Sequence, residues 1–169
     1  YIILVLVALI LLWLIFAYNV VVRLSQQARE AASDIEVQLK RRFDLIPNLI
    51  ETVKGYMAHE RQTLESVTRA RTQFMAAKTP QEQAAADNLL TNTLKTLFAV
   101  SESYPDLKAN ANFLDLQREL ADTENKIQAA RRFYNANVRD LNIRIESFPA
   151  NFIAGGFGFG KMEFFDAEA

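Results

Sequence analysis

A single histidine, His59, is followed by Glu60, and such a pair could serve as metal ligand and general base. A zinc-hydrolase motif needs a second histidine four residues after the first, so that both imidazoles face one ion. Position 63 holds Thr63, and His59 therefore reads as a surface helix residue. Carboxylates are plentiful, among them Glu60, Glu65, Glu119 and Glu124. A di-metal bundle, however, takes inward glutamates plus two Glu-x-x-His pairs, which one histidine does not supply. The serines lack a convincing base partner. The absence of cysteine removes thiolate nucleophiles, thiolate metal sites and disulfides together. No catalytic residue, metal site or cofactor is expected, and the chain reads as a non-enzyme.

Three other groups carry charge or apolar area in patterns that suit contact. Lys40, Arg41 and Arg42 form a basic cluster, which is either a solvated helix face or a contact for an acidic surface. Anionic lipid is the poorer target. The cluster lies about 18 residues beyond the apolar N-terminal segment, roughly 27 Å along a straight helix, whereas charges are screened over about 8 Å. Glu124, Arg131 and Asn137 fall near an apolar seam. They are either stripe-edge side chains reaching water or a polar layer that fixes register within a bundle or between subunits.

The third group is the C-terminus, where Gly155, Gly156, Gly158 and Gly160 interleave with Phe157 and Phe159 and are followed by Phe164 and Phe165. A phosphate loop would need a preceding strand and a Gly-Lys-Ser/Thr ending, and neither is present. Glycine here permits turning and close approach, while the phenylalanines supply apolar area that would be an association site if exposed. The segment is expected to pack on its own bundle, to dock on a neighbouring subunit or partner, or to touch the membrane.

The elements that must position these groups follow from the apolar pattern. Residues 1–22 carry no charge and only Asn19 interrupts the apolar run. At 1.5 Å per residue they span roughly 33 Å, enough for a bilayer core of about 30 Å. No small-x-small cleavage site follows, so a retained transmembrane helix is expected in place of a signal peptide. The sequence begins at Tyr1 without methionine, and a few residues are expected ahead of it. Arg23, Arg29, Lys40, Arg41 and Arg42 follow the span, and the positive-inside rule then favours a body on the cytoplasmic side.

Leu24, Ala28, Ala31, Ile35, Leu39 and Phe43 recur at intervals of three and four, which predicts an amphipathic helix continuing from the membrane over about 23–45. Pro47 is expected to end or kink it. A second helix is predicted over 47–76, with Leu49, Ile50, Val53, Met57, Leu64, Val67 and Phe74 inward. Thr79-Pro80-Gln81-Glu82 is a capping box with proline at the first helical position, opening a third helix over 80–102 with Leu90, Leu94, Leu97 and Phe98 on one side. A fourth, capped by Asn112, runs over 113–146, its apolar positions recurring every seven residues from Phe113 through Leu120, Ile127, Tyr134 and Leu141. Connections this short make the helices antiparallel neighbours. The expected fold is all-α: a transmembrane helix (1–22) continuing into an elongated antiparallel bundle (23–148), then an irregular Gly/Phe-rich tail (149–169).

Several stretches resemble the LemA family of bacterial membrane proteins. They are the run from Asp34 to Gly55, with Lys40-Arg41-Arg42-Phe43-Asp44-Leu45-Ile46-Pro47-Asn48 at its centre, and Tyr104-Pro105-Asp106-Leu107-Lys108-Ala109-Asn110. Thr123-Glu124-Asn125, Ala130-Arg131-Arg132-Phe133-Tyr134-Asn135, Phe148-Pro149 and the Gly-Phe-Gly-Phe tail complete the likeness. One departure is Ala32, where relatives often carry tryptophan. The resemblance implies one N-terminal anchor and an antiparallel helical bundle, and implies no catalytic residues. Some relatives are associated with magnetosome membrane formation, which makes membrane organisation the analogous role.

The balance of 19 basic against 20 acidic residues leaves a net charge of −1 and no field to attract nucleic acid. The expected partners are the lipid bilayer, further copies of the chain and an envelope protein. The expected location is the bacterial cytoplasmic membrane, crossed once. The leading functional expectation is a membrane-anchored scaffold that self-associates and organises an envelope complex or membrane patch; the alternative is an adaptor that recruits a membrane protease or another envelope partner.

Overall fold

Thr79 begins the clearest local decision in the chain. Its hydroxyl accepts the Glu82 N–H at 3.2 Å, and the Glu82 carboxylate accepts the N–H groups of Thr79 at 3.1 Å and Lys78 at 2.8 Å. Those bonds satisfy donors that an α-helix leaves unpaired at its start. In the computed structural model, which describes residues 1–165, this is the start of α3 (Pro80–Ser101). The other helices are α1 (Ile2–Lys54), α2 (Arg61–Ala76), the single turn α4 (Pro105–Lys108), α5 (Ala111–Glu146) and α6 (Ala150–Gly156). No strand occurs among the described residues, and the fold is all-α.

Two boundaries differ from those that the sequence suggests. α1 passes through Pro47 and continues to Lys54. The proline removes one backbone bond, but Ile46, Leu49 and Val53 on either side are fully buried, and their packing holds the helical register across it. The chain turns instead at Gly55–Glu60, so the helix expected over 47–76 is in fact the end of α1 and α2. At the start of α5 the cap is Asn110, not Asn112: its side-chain oxygen accepts the Phe113 N–H at 3.0 Å. Asn112 reaches across to donate to the Thr52 hydroxyl at 2.9 Å.

The chain forms two compact units. One comprises Asp34–Arg131 together with Phe165. Within it, Arg41 of α1 meets Asp122 of α5 while Thr52 meets Asn112, so these helices are antiparallel. Phe43 of α1 stacks near Phe74 of α2, and Phe98 of α3 near Phe113 of α5. With α2 and α3 joined by three residues, the order is up-down-up-down. The core is Ile46, Leu49, Val53, Met57, Val67, Ala70, Leu90, Leu94, Leu97, Leu107, Phe113, Leu116 and Leu120.

The other unit comprises Tyr1–Ser33 and Arg132–Phe164. Every residue from 1 to 16 is exposed, and burial begins at Ala17 and Val21 and continues at Ala28 and Ala31. Part of the tail expected to be irregular is α6, whose Ala150, Ile153 and Ala154 are buried. Gly158 then adopts φ +74°, and the Phe159 N–H reaches back to the Ala154 carbonyl at 2.9 Å. This is a glycine-based helix termination that uses a left-handed residue. The following residues return along α5. Lys161 pairs with Glu146, and Asn142 bonds both the N–H and the carbonyl of Met162 at 2.9 Å. The Tyr134 hydroxyl donates to the Glu163 carbonyl at 2.7 Å.

Candidate functional site

The bundle of residues 34–131 encloses a four-charge network contributed by α1, α3 and α5. Successive residues of a helix are separated by 100°, so Lys40, Arg41 and Arg42 cannot share one face. Arg42 lies on the same stripe as Ile46, Leu49 and Val53 and is 2% exposed. Its Nη1 donates to Asp87 Oδ1 at 2.6 Å and lies 2.7 Å from Glu124 Oε2. Arg131, also buried, donates to the Asn88 side-chain oxygen at 2.9 Å and stands 3.8 Å from Asp87 Oδ2. Thr91 and Gln128 donate to Glu124 at 2.9 and 3.2 Å. Among the described residues, the cations Arg42 and Arg131 thus face the anions Asp87 and Glu124.

This arrangement corrects the reading of Lys40, Arg41 and Arg42 as one basic contact surface. Arg42 belongs to the interior. Arg41 is exposed but pairs with Asp122 at 3.1 Å and Glu119 at 3.7 Å, leaving Lys40 as the member that rims an apolar groove with Glu36, Leu39, Phe43, Phe74 and Met75. Glu124 and Arg131 lie in the network with Arg42 and Asp87, whereas Asn137 belongs to the other unit, and its amide donates to the Phe133 carbonyl of its own helix at 2.8 Å. Asp87 was missed. Its signal was present, because Asp87, Leu90, Leu94 and Leu97 follow one helical stripe, and a carboxylate on an apolar stripe needs a buried cation.

Burial pushes the Asp87 carboxyl above its ordinary value of 3.8, and the neighbouring Glu124 charge adds to this, while Arg42 and Arg131 oppose it. Burial also pushes Glu124 upward, but Arg42, the Thr91 and Gln128 bonds and Lys95 together hold it below its ordinary 4.5. The signs for stability are opposite. Asp87 binds protons more tightly when folded, so its contribution is full below 3.8 and is lost as pH rises through the folded value. Glu124 binds protons more tightly when unfolded, so its contribution is full above 4.5 and is lost as pH falls through the folded value. Glu124→Gln is therefore expected to destabilise the protein at pH 7 by roughly 1.5–3 kcal/mol, the usual worth of a hydrogen bond to a charged group. The gap to the unmodified chain narrows as pH falls below 4.5, as urea denaturation at a series of pH values would read out.

The network links α1, α3 and α5 through paired charges, and a slip by one turn would leave charges buried without partners. Asp87 and Glu124 both face Arg42, and among the described residues no group of three or more His, Cys, Asp or Glu is placed to hold a metal ion. His59 lines an open polar cleft with Gln62, Thr63 and Asn92, and the neighbouring Glu60 carboxylate accepts the Tyr104 hydroxyl at 3.0 Å.

The tail phenylalanines divide. Phe165 is buried in the bundle unit, 5.5 Å from the Arg131 guanidinium. Phe164 is part-exposed in the other unit. Phe157 and Phe159 stand edge-on to Tyr18, with ring centroids at 4.9 and 5.8 Å. Leu14, Ile15, Tyr18 and Asn19 of α1 line a cleft with Ile153 and Phe157. One helix among the described residues is long and apolar enough to cross a membrane, and it is the one these aromatic rings meet.

The family model for LemA matches residues 31–169, which includes the whole ion network and the aromatic tail. The chain belongs to the LemA family. It is 27% identical over 178 residues to magnetosome protein MamQ 2 of Paramagnetospirillum magneticum, covering 90% of this chain and 65% of that protein. It is 25% identical to magnetosome protein MamQ of Magnetospirillum gryphiswaldense, with the same coverage, and 27% identical over 153 residues to protein LemA of Metamycoplasma hominis, covering 88% of this chain and 68% of that protein. The chain thus spans about two thirds of the length of these relatives. Carrying an exposed apolar N-terminal helix on a LemA body, it is a membrane-associated member of the family.

Proposed function

We propose that this LemA-family chain is a non-enzymatic scaffold, anchored once in the bacterial cytoplasmic membrane, that self-associates and organises an envelope complex or membrane patch. One observation carries the reading. The uncharged, exposed apolar stretch of residues 1–16 continues in the same helix to Arg42, whose charge is paired with Asp87 and Glu124 inside the bundle. The buried polar groups serve rigidity, and the exposed apolar ones lie where lipid or protein would cover them. The names of the MamQ relatives refer to the magnetosome, which supports the membrane-patch reading by analogy. Overexpression followed by electron tomography tests it: rearranged or clustered inner membrane is expected, and unaltered morphology would count against it.

Arg23, Arg29 and the basic residues after them support a body on the cytoplasmic side. The chain has no cysteine, so Ala58→Cys, exposed at the turn between α1 and α2, gives a single label. A membrane-impermeant maleimide is expected to leave it unlabelled in intact spheroplasts and to label it after permeabilisation; labelling of intact spheroplasts would place the body outside.

A second reading, an adaptor for a membrane protease or other envelope partner, is favoured by the groove between Phe43, Phe74 and exposed Met75, with Lys40 and Glu36 at its rim. Affinity purification that returns no reproducible partner would weigh against it.

A further inference from the structure

Residues 147–160 form a second uncharged stretch, bounded by Glu146 and Lys161 and containing Phe148, Phe152, Ile153, Phe157 and Phe159. We propose that this segment, α6 and the reversal after it, is an interfacial aromatic wedge: a second lipid contact, seated at the headgroup–acyl boundary beside the membrane-spanning helix. The proposal deepens the function above and rests on residues 1–22 being the anchor.

Depth is the first argument. Phe157 and Phe159 meet Tyr18, and Ile153 lines the same cleft as Leu14 and Ile15. The first charge on α1 is Arg23, five residues past Tyr18 and so about 7.5 Å further along the axis. The aromatic tip therefore lies on the lipid side of the first charged residue, by a distance matching the roughly 5–10 Å to which interfacial helices sink. Arg23 is exposed and placed to reach the headgroups.

Exposure is the second. Phe148, Phe152 and Phe157 are 81%, 71% and 68% exposed, and Phe157 shares a cleft with Ile15 of α1, itself 59% exposed. In water such a patch would associate indiscriminately. Continuity with the span selects lipid as its cover, because the bilayer that surrounds Ile15 reaches the rings beside it.

The backbone supplies the third argument. Chain that enters a low-dielectric region must satisfy its own polar groups. Here the Phe157 N–H bonds the Ile153 carbonyl at 3.0 Å and the Phe159 N–H bonds the Ala154 carbonyl at 2.9 Å. Gly158 provides the left-handed turn that returns the chain toward Lys161 and the Glu146 end of α5. A wedge of this kind adds area to one leaflet only and ties the unit to that leaflet at two points.

The chain has one tryptophan, Trp13, within the apolar N-terminal segment, which allows a direct test on this chain of 169 residues in vesicles of phosphatidylcholine and phosphatidylglycerol. The unmodified chain reports on the anchor. Trp13→Phe/Phe157→Trp and Trp13→Phe/Phe152→Trp report on the wedge, at positions exposed enough to accept an indole. With brominated acyl chains, quenching at positions 157 and 152 is expected to fall within about twofold of that at Trp13, with blue-shifted emission, as for aromatic residues at the interface. An indole at both positions that acrylamide quenches and bromine does not would place the segment in water and overturn the proposal. Shielding from both quenchers would show a protein cover, a second copy or a partner, and would overturn it equally. Trp13 itself escaping bromine would remove the anchor reading, an outcome distinct from failure of the wedge alone.

Discussion

Arg42→Leu is expected to lower the stability of the bundle by about 3–5 kcal/mol, the range found when one partner of a buried ion pair is removed. The reason is what remains. Asp87 and Glu124 would keep their positions around a side chain that no longer donates at 2.6 and 2.7 Å, and the other buried cation, Arg131, stands 3.8 Å from Asp87. Burial already pushes the Asp87 carboxyl upward with Arg42 in place, so losing Arg42 drives it toward the neutral form. Adding Asp87→Leu to Arg42→Leu should recover part of the loss, because pairs in one network are not additive and apolar replacement of a whole buried pair is often neutral. Urea denaturation of the full chain in detergent, followed by circular dichroism, measures both. Equal stability of Arg42→Leu and the unmodified chain would mean that the network does not hold the three helices.

Leu9→Arg/Leu12→Arg is expected to cost membrane insertion still more. Each exchange replaces a favourable residue with a cation near the centre of the span, about 3–4 kcal/mol on insertion scales, or roughly 6–8 kcal/mol for both. Both leucines are exposed and neither belongs to the bundle core, so the body should remain folded. Carbonate extraction of membranes should move the variant into the soluble fraction while the unmodified chain stays in the pellet. Retention of the variant would show that something other than this helix holds the protein to the membrane.

The helical class, the long apolar N-terminal helix and the capping box at Thr79 were legible because each rests on local spacing. Pro47 misled because its cost of one backbone bond is local, whereas the burial of Ile46, Leu49 and Val53 that outweighs it is tertiary. The Lys40-Arg41-Arg42 cluster misled because adjacency in sequence is not adjacency on a helix. Arg42 falls on the inward stripe and Arg41 on the rim. Asp87 lay in plain register with Leu90, Leu94 and Leu97, and the cations that face it, Arg42 and Arg131, lie in other helices, 45 residues before and 44 after it, a pairing that periodicity within one helix does not reveal. The tail's composition announced a contact, but the division of Phe165 into the bundle unit and Phe157 against Tyr18 depends on the fold.

Self-association of an anchored chain is the centre of the account, and the mass of the particle in its own lipids addresses it without a choice of partner. Native mass spectrometry of protein extracted directly from membranes into polymer-bounded lipid discs should return species that hold two or more copies of the chain. Particles holding a single copy, across the range of expression levels, would contradict it.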